Sequence, residues 1–275
     1  MKTLLIAALG LIAMLAIAAC GDDDSADEAT PTPADGTPAD GSGLPQGGEP
    51  FDLDPADFTT DIDNPYWPME PGTRWTYSEI DEEGAELDVI VTVTSVTKEV
   101  ANGITARVVR DSVYEDGELI EDTLDWYAQD AEGNIWYLGE DTAEFEDGEL
   151  TTTAGAWEAG VDGALAGVIM PANPAVGMTY RQEYYEGEAE DNGEILGLDE
   201  SADVPAGQYE SCVQTADTSG IEPDVLEHKY YAEGVGPVLT IDVEGGGREE
   251  LLSVEQVSAE AAEAAGTTPL GEEYP

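Results

Sequence analysis

Histidine occurs once, at His228, and that scarcity removes several mechanisms before any fold is considered. With no second histidine there is no HExxH and no histidine pair to hold a catalytic zinc, and a Ser-His-Asp triad would have to use His228 itself. Cysteine occurs twice, at Cys20 and Cys212, without a CxxC pair. Cationic side chains are also few: 8 Lys plus Arg stand against 62 Asp plus Glu, for a net charge of −54. A surface of that sign repels phosphate, which argues against nucleic acid and anionic headgroups as partners. There is no GxSxG elbow and no P-loop. No catalytic residue is assigned on these grounds, and no cofactor is expected.

Long apolar runs are equally sparse, and the longest lies at the start. The 16 residues 4–19 carry no charge. As a helix they would span about 24 Å, short of the roughly 30 Å hydrocarbon core. Lys2 precedes the run and Ile17-Ala18-Ala19-Cys20 closes it, giving the charged, apolar and small-residue parts of an export signal. The close resembles the lipobox of bacterial lipoproteins, in which the cysteine after the cut takes a diacylglycerol. Residues 1–19 are therefore expected to be a signal peptide and Cys20 the site of lipidation. Acyl chains contribute about 0.8 kcal/mol per buried CH₂, so several on Cys20 would hold the protein at a membrane without crossing it. The expected location is extracytoplasmic and lipid-anchored. Cys212 is then left without a partner, as a buried and inert thiol.

Residues 20–50 follow as a linker of Asp, Glu, Gly, Pro, Ser, Thr and Ala, with too little apolar surface to offset ordering entropy. It reads as a disordered, self-repelling stalk. The charge itself points to a halophilic or salt-tolerant source, because screening lengths shrink from about 30 Å at 0.01 M salt to about 3 Å at 1 M. A calcium-dependent acidic protein is the rival explanation. Residues 258–275 lack an apolar stripe and read as a frayed tail.

Residues 51–257 read as strand after strand. In "LDVIVTVTSV" Leu87, Val89, Val91 and Val93 alternate with Asp88, Thr92 and Thr94, and in "LIEDTLDWYA" Ile120, Leu124, Trp126 and Ala128 share a parity. "EDGE" at Glu115 and again at Glu146 supplies residues that tolerate tight hairpins. No stretch has a sustained helical period. The expected fold class is all-β: a single large antiparallel meander forming a strongly curved sheet or partly open barrel. Residues 154–178, rich in Gly, Ala and Pro yet carrying Trp157, Leu165, Val168, Ile169 and Met170, read as one long ordered loop packed over an edge or mouth of the sheet.

Adjacent aromatics recur in "DWYAQD", "NIWYLGED", "QEYYEG" and "HKYYAE". Neighbours in a strand point to opposite faces, so one of each pair should enter the core. The candidate ligand-binding residues are Trp126, Trp136, Trp157, Tyr185 and Tyr231, a surface suited to a small apolar or sugar-like ligand, although core packing accounts for the same rings. The EF-hand pattern fails at Asp130 because Gly133 arrives too early. Asp61, Asp63 and Asn64 in "DIDN" are the candidate cation ligands, against a solvated face as the simpler reading.

"NPYWPMEPGTRWTY", "DWYAQDAEGNIWYLGED", "WEAGVDGALAGVIMPANPAVGMTYRQEYYEGEAED", "VPAGQYESC" and "EHKYYAEGVGPV" together resemble a family of exported bacterial lipoproteins without an assigned reaction. Relatives often carry proline where this chain has Glu233. The last two phrases also resemble periplasmic proteins with a curved, partly open antiparallel barrel, some of them lipid or lipoprotein carriers. The resemblance implies a fold and a location. For function, the leading expectation is a non-enzymatic binding or carrier module. The alternatives are a structural or interaction protein of the cell envelope without a small ligand, and a carboxylate-based hydrolase.

Overall fold

The computed structural model describes residues 43–275. The expected signal segment, Cys20 and most of the expected stalk lie outside the described residues.

The hairpin chemistry read from the sequence sets the topology. At Asp116-Gly117 and Asp147-Gly148 both residues have positive φ (52° and 85°, 55° and 75°), the backbone that two-residue hairpins need. Strands β1 (Thr73–Ile80), β2 (Glu86–Glu99), β3 (Thr105–Glu115), β4 (Glu118–Gln129) and β5 (Ile135–Glu146) run as consecutive antiparallel neighbours. Short strands β6 (Glu149–Thr152) and β7 (Trp157–Glu158) pair with β5, as does β8 (Leu165–Met170). The segment 154–178 is thus ordered along an edge, as expected, but two of its stretches are strands rather than loop. After β9 (Thr179–Arg181) and β10 (Glu183–Tyr184) come β11 (Asp191–Val204), β12 (Gly207–Ser219), β13 (Leu226–Ala232), β14 (Gly236–Asp242) and β15 (Arg248–Gln256). Strand β15 pairs back onto β1, and 13 strands follow one path from β10 to β9. The sheet is nearly closed into a barrel.

One seam lies between the two ends of this path, and the chain crosses it between β9, which pairs with β11, and β10, which pairs with β8. The crossing is tight. A Cβ on Gly167 of β8 would lie 2.3 Å from the Gln182 carbonyl oxygen, so this position takes no side chain. Residues 44–49 strap the same seam: the Arg181 amide donates to the Pro45 carbonyl at 2.8 Å, and its guanidinium donates to the Gly47 and Glu49 carbonyls at 2.5 and 2.8 Å. The end of the expected disordered stalk is therefore ordered. It gains what composition does not supply, a row of backbone acceptors for a buried arginine.

The C-terminal tail also departs from expectation. Residues Ala259–Thr267 form helix α1, capped by Ser258, whose hydroxyl accepts from the Ala261 amide at 3.2 Å. Its face is too small to show as an apolar stripe, since Ala262 and Ala265 are the buried residues, but small residues permit close docking. A Cβ on Gly266 would meet Thr94 Oγ1 at 2.7 Å. Arg110 of β3 donates to the Ala265, Thr268 and Pro269 carbonyls at the helix's end, where positive charge is favoured. The same guanidinium pairs with the buried carboxylate of Asp122 and lies 4.3 Å from the Tyr274 ring. Among the described residues no helix is long and apolar enough to cross a membrane.

Candidate functional site

Strand register assigns every side chain to the inside or the outside of the barrel. Glu79, Tyr77 and Trp75 of β1 are level with Leu87, Val89 and Val91 of β2, and Val91 with Asp111 of β3. Asp111 is level with Thr123 of β4, and Asp125 with Val109 on one side and Glu140 of β5 on the other. Around the other half, Glu79 pairs with Glu249, Glu249 with Thr240, Thr240 with Lys229 and Lys229 with Thr215. All of these face inward. On β2 the expected apolar parity does enter the core. On β4 the parity is reversed: Glu121, Thr123, Asp125 and Tyr127 face the interior, while Trp126 and Leu124 face outward.

The interior is graded along its axis. At one end Trp67 packs on Tyr127 (5.6 Å) and Tyr231 (5.9 Å), and Tyr127 stacks on Tyr137 at 4.9 Å. Residues 59–69 close that end, with Thr59 bridged to Gln129 and Ile62 to Met69. Towards the other end the strands carry Glu79, Glu121, Asp217 and Glu227, all buried. The hairpins there add Asp81, Glu82 and Glu83, then Asp116, then Asp147. The barrel thus has a closed aromatic end and an acidic one.

Burial, reinforced by neighbouring carboxylates, raises the pKa of several interior acids. Glu79 is pushed to about 8 by burial and then by Glu227, Asp111, Asp81 and Glu121. Asp125 and Asp191 are each raised to about 7, chiefly by burial. Asp111, Glu121, Glu140, Glu183 and Glu249 are shifted upward for the same reason. One contact requires a proton outright. The Tyr137 hydroxyl lies 2.7 Å from Asp125 Oδ1 and 2.6 Å from Glu140 Oε2, and a hydroxyl has one proton to donate. The second short contact therefore places a proton on one of the two carboxyls. Lys229 is the counterweight: burial opposes its charge, but Glu227 (3.1 Å) and Asp217 (3.3 Å) outweigh burial and raise its pKa.

Several buried polar atoms aimed inward have no hydrogen-bond partner, among them Tyr180 Oη, Thr215 Oγ1, Glu79 Oε2, Asp111 Oδ1 and Glu249 Oε2. Tyr180 and Thr215 are fully buried. The Tyr180 ring lies against Gly193, where a Cβ would come within 2.5 Å of it.

The five aromatic candidates do not form one surface. Tyr231 is interior, and Trp157 meets Tyr137 edge-on at 5.5 Å beside Glu140. Trp126 is on the outer face, with the Lys98 ammonium 3.6 Å from its ring centre. Trp136 packs outside on Phe51 and Phe58 and donates to Asp130 Oδ2 at 2.7 Å. Tyr185 sits half-buried in the turn bridged to Ala189. As for the cation candidates, Asp63 Oδ1 accepts from Gln129 and Asn64 Oδ1 accepts from the Tyr66 amide, while Asp61 is exposed. Their oxygens are committed to the cap. Among the described residues no three His, Cys, Asp or Glu converge as a metal centre. His228 faces outward beside Gln214, and Cys212 is buried with its thiol pKa raised by burial. A cavity of about 250 Å³ beside the seam, touched by Phe51, Leu53, Ala159, Leu165 and Arg181, is below the roughly 300 Å³ of small-molecule pockets.

Sequence reasoning missed the interior acids. The alternation of Glu121 and Asp125 with Tyr127 at a spacing of two was the available signal, but 62 acids leave no contrast against which to see it.

The chain matches no family model and no curated protein. Among solved structures it is similar to a candidate lipoprotein from Parabacteroides distasonis ATCC 8503, at 12% identity and a TM-score of 0.37, over 69% of this chain and 98% of that one. It is also similar to a β-barrel-like protein of a domain of unknown function, DUF1849, from Brucella abortus, at 12% identity and a TM-score of 0.32, over 68% of this chain and 98% of that one. Likenesses this remote leave the functional argument to the geometry of the interior.

Proposed function

We propose that this protein is an extracytoplasmic binding module, anchored to a membrane by lipid on Cys20 and carrying its ligand inside the barrel. The supporting observation is the set of inward polar atoms without partners, led by Tyr180 Oη and Thr215 Oγ1. Buried hydroxyls are nearly always hydrogen-bonded, and leaving one unmet costs about 1–3 kcal/mol. A purely structural core has no use for several of them. Cleavage after residue 19 and a stalk ahead of residue 44 would hold the barrel clear of the membrane. The acidic outer surface keeps nucleic acid away and is the part of the charge that salt adaptation explains. Of the small apolar or sugar-like ligands first expected, the polar interior disfavours the apolar ones. A non-enzymatic role fits best, because the interior acids are dispersed around the wall.

Native mass spectrometry of the full chain purified from its own host tests this reading. The expected result is a diacylglycerol-modified Cys20 and a small molecule that leaves on denaturation. A chain carrying only its lipid would overturn the binding reading, and an unmodified Cys20 would overturn the anchor.

A further inference from the structure

Salt adaptation and solubility favour carboxylates that water can hydrate. They give no reason to bury Glu79, Asp111, Glu121, Glu140, Glu183 and Glu249 around the barrel interior. The interior also contains its own example of what satisfies these groups. Lys229 is the one cation ion-paired to an interior carboxylate among the described residues, its primary ammonium held between Glu227 and Asp217. The remaining interior acids have no comparable partner.

We infer that the barrel interior binds an aliphatic polyamine, whose ammonium groups sit on interior carboxylates as that of Lys229 does and which enters through the acid-rimmed end. This rests on the reading of the interior as a ligand chamber. Three observations select the ligand class. Glu79 and Glu249 face each other in register with one oxygen each unpartnered, a seat for an N–H donor. Fully buried Tyr180 Oη and Thr215 Oγ1 offer neutral acceptors elsewhere on the interior, Thr215 being level with Lys229. The acids are spaced along and around the barrel, and among the described residues no three of them converge as a metal centre, which suits charges separated by methylenes rather than a single metal ion. The acidic hairpins at the end opposite the aromatic cap would concentrate a polycation before entry.

The test uses the full chain at pH 8 with spermidine as the probe, read by calorimetry and thermal unfolding against NaCl and MgCl₂ at matched ionic strength. Spermidine is expected to saturate and to raise Tm by about 5 °C or more over both salts, as a ligand specific to the folded state does. The double variant E79Q/E249Q removes like charges, so it should fold, and it should bind spermidine at least about tenfold more weakly. The control E86Q/D88N removes two exposed charges from the outer face and should stay within about twofold. An equal effect of MgCl₂, or an equal loss in the control, overturns the assignment. A neutral or anionic molecule co-purifying from the host would leave the chamber reading standing and overturn the polyamine. No bound molecule and no spermidine binding would overturn both.

Discussion

Glu79 and Glu249 are directly opposite each other on β1 and β15, both buried and both facing the barrel interior. Like charges so placed destabilise a sheet unless one carries a proton or a cation lies between them. Glu79 also faces Asp111 from β3, Glu121 from β4 and Glu227 from β13, and its pKa stands near 8. Because the folded state holds protons that the unfolded state has lost, stability is full below the ordinary carboxylate pKa and falls as pH rises through the raised values. In low salt, Tm should fall between pH 5 and pH 8.5, the reverse of ordinary acid denaturation. E79Q should flatten that slope and add on the order of 1–2 kcal/mol at pH 8. A thermal melt series across this range checks both, and a Tm that rises with pH would contradict them.

Lys229 behaves in the opposite sense. Replacing it by methionine leaves Asp217 and Glu227 buried without their cation, at a cost of about 3–5 kcal/mol. Urea titration of K229M against the parent chain at pH 7 measures the loss.

Arg110 joins β3 to the C-terminal helix through Asp122 and three carbonyls. R110M should cost about 3–5 kcal/mol and free the tail, because Asp122 is then buried alone and the end of α1 loses its donor. Hydrogen exchange should show residues 259–275 losing protection while β11 to β13 keep theirs.

Gly167→Ala tests the seam. Its Cβ would overlap the Gln182 carbonyl, which is backbone and cannot turn aside. The variant should open the crossing between β9 and β10 and expose residues 44–49 to proteolysis, with a loss of about 1–3 kcal/mol.

Much of the fold was legible because period-two alternation and Asp-Gly turns act locally. Leu87, Val89, Val91 and Val93 face inward as their spacing requires. On β4 the same rule pointed the wrong way, since Trp126 and Leu124 are apolar yet face outward and Glu121 and Asp125 are acidic yet face inward. Tertiary partners decide that case: Lys98 lies over the Trp126 ring, and the outer face of β3 and β4 is covered by the tail that Arg110 and Asp122 hold. The docking of helix α1 escaped notice because alanines pack closely without raising hydrophobicity. The interior site was hidden because it is made of the residue type the whole chain is rich in, and only register separates the acids that water hydrates from those it does not.

Interior carboxyls that hold protons in the ligand-free protein must release them when a polycation binds. Calorimetric titration of spermidine into the full chain at pH 7, repeated in two buffers of different ionisation enthalpy, measures that exchange directly. Proton release, seen as a binding enthalpy that changes with the buffer, is the predicted result; binding whose enthalpy is the same in both buffers would contradict it.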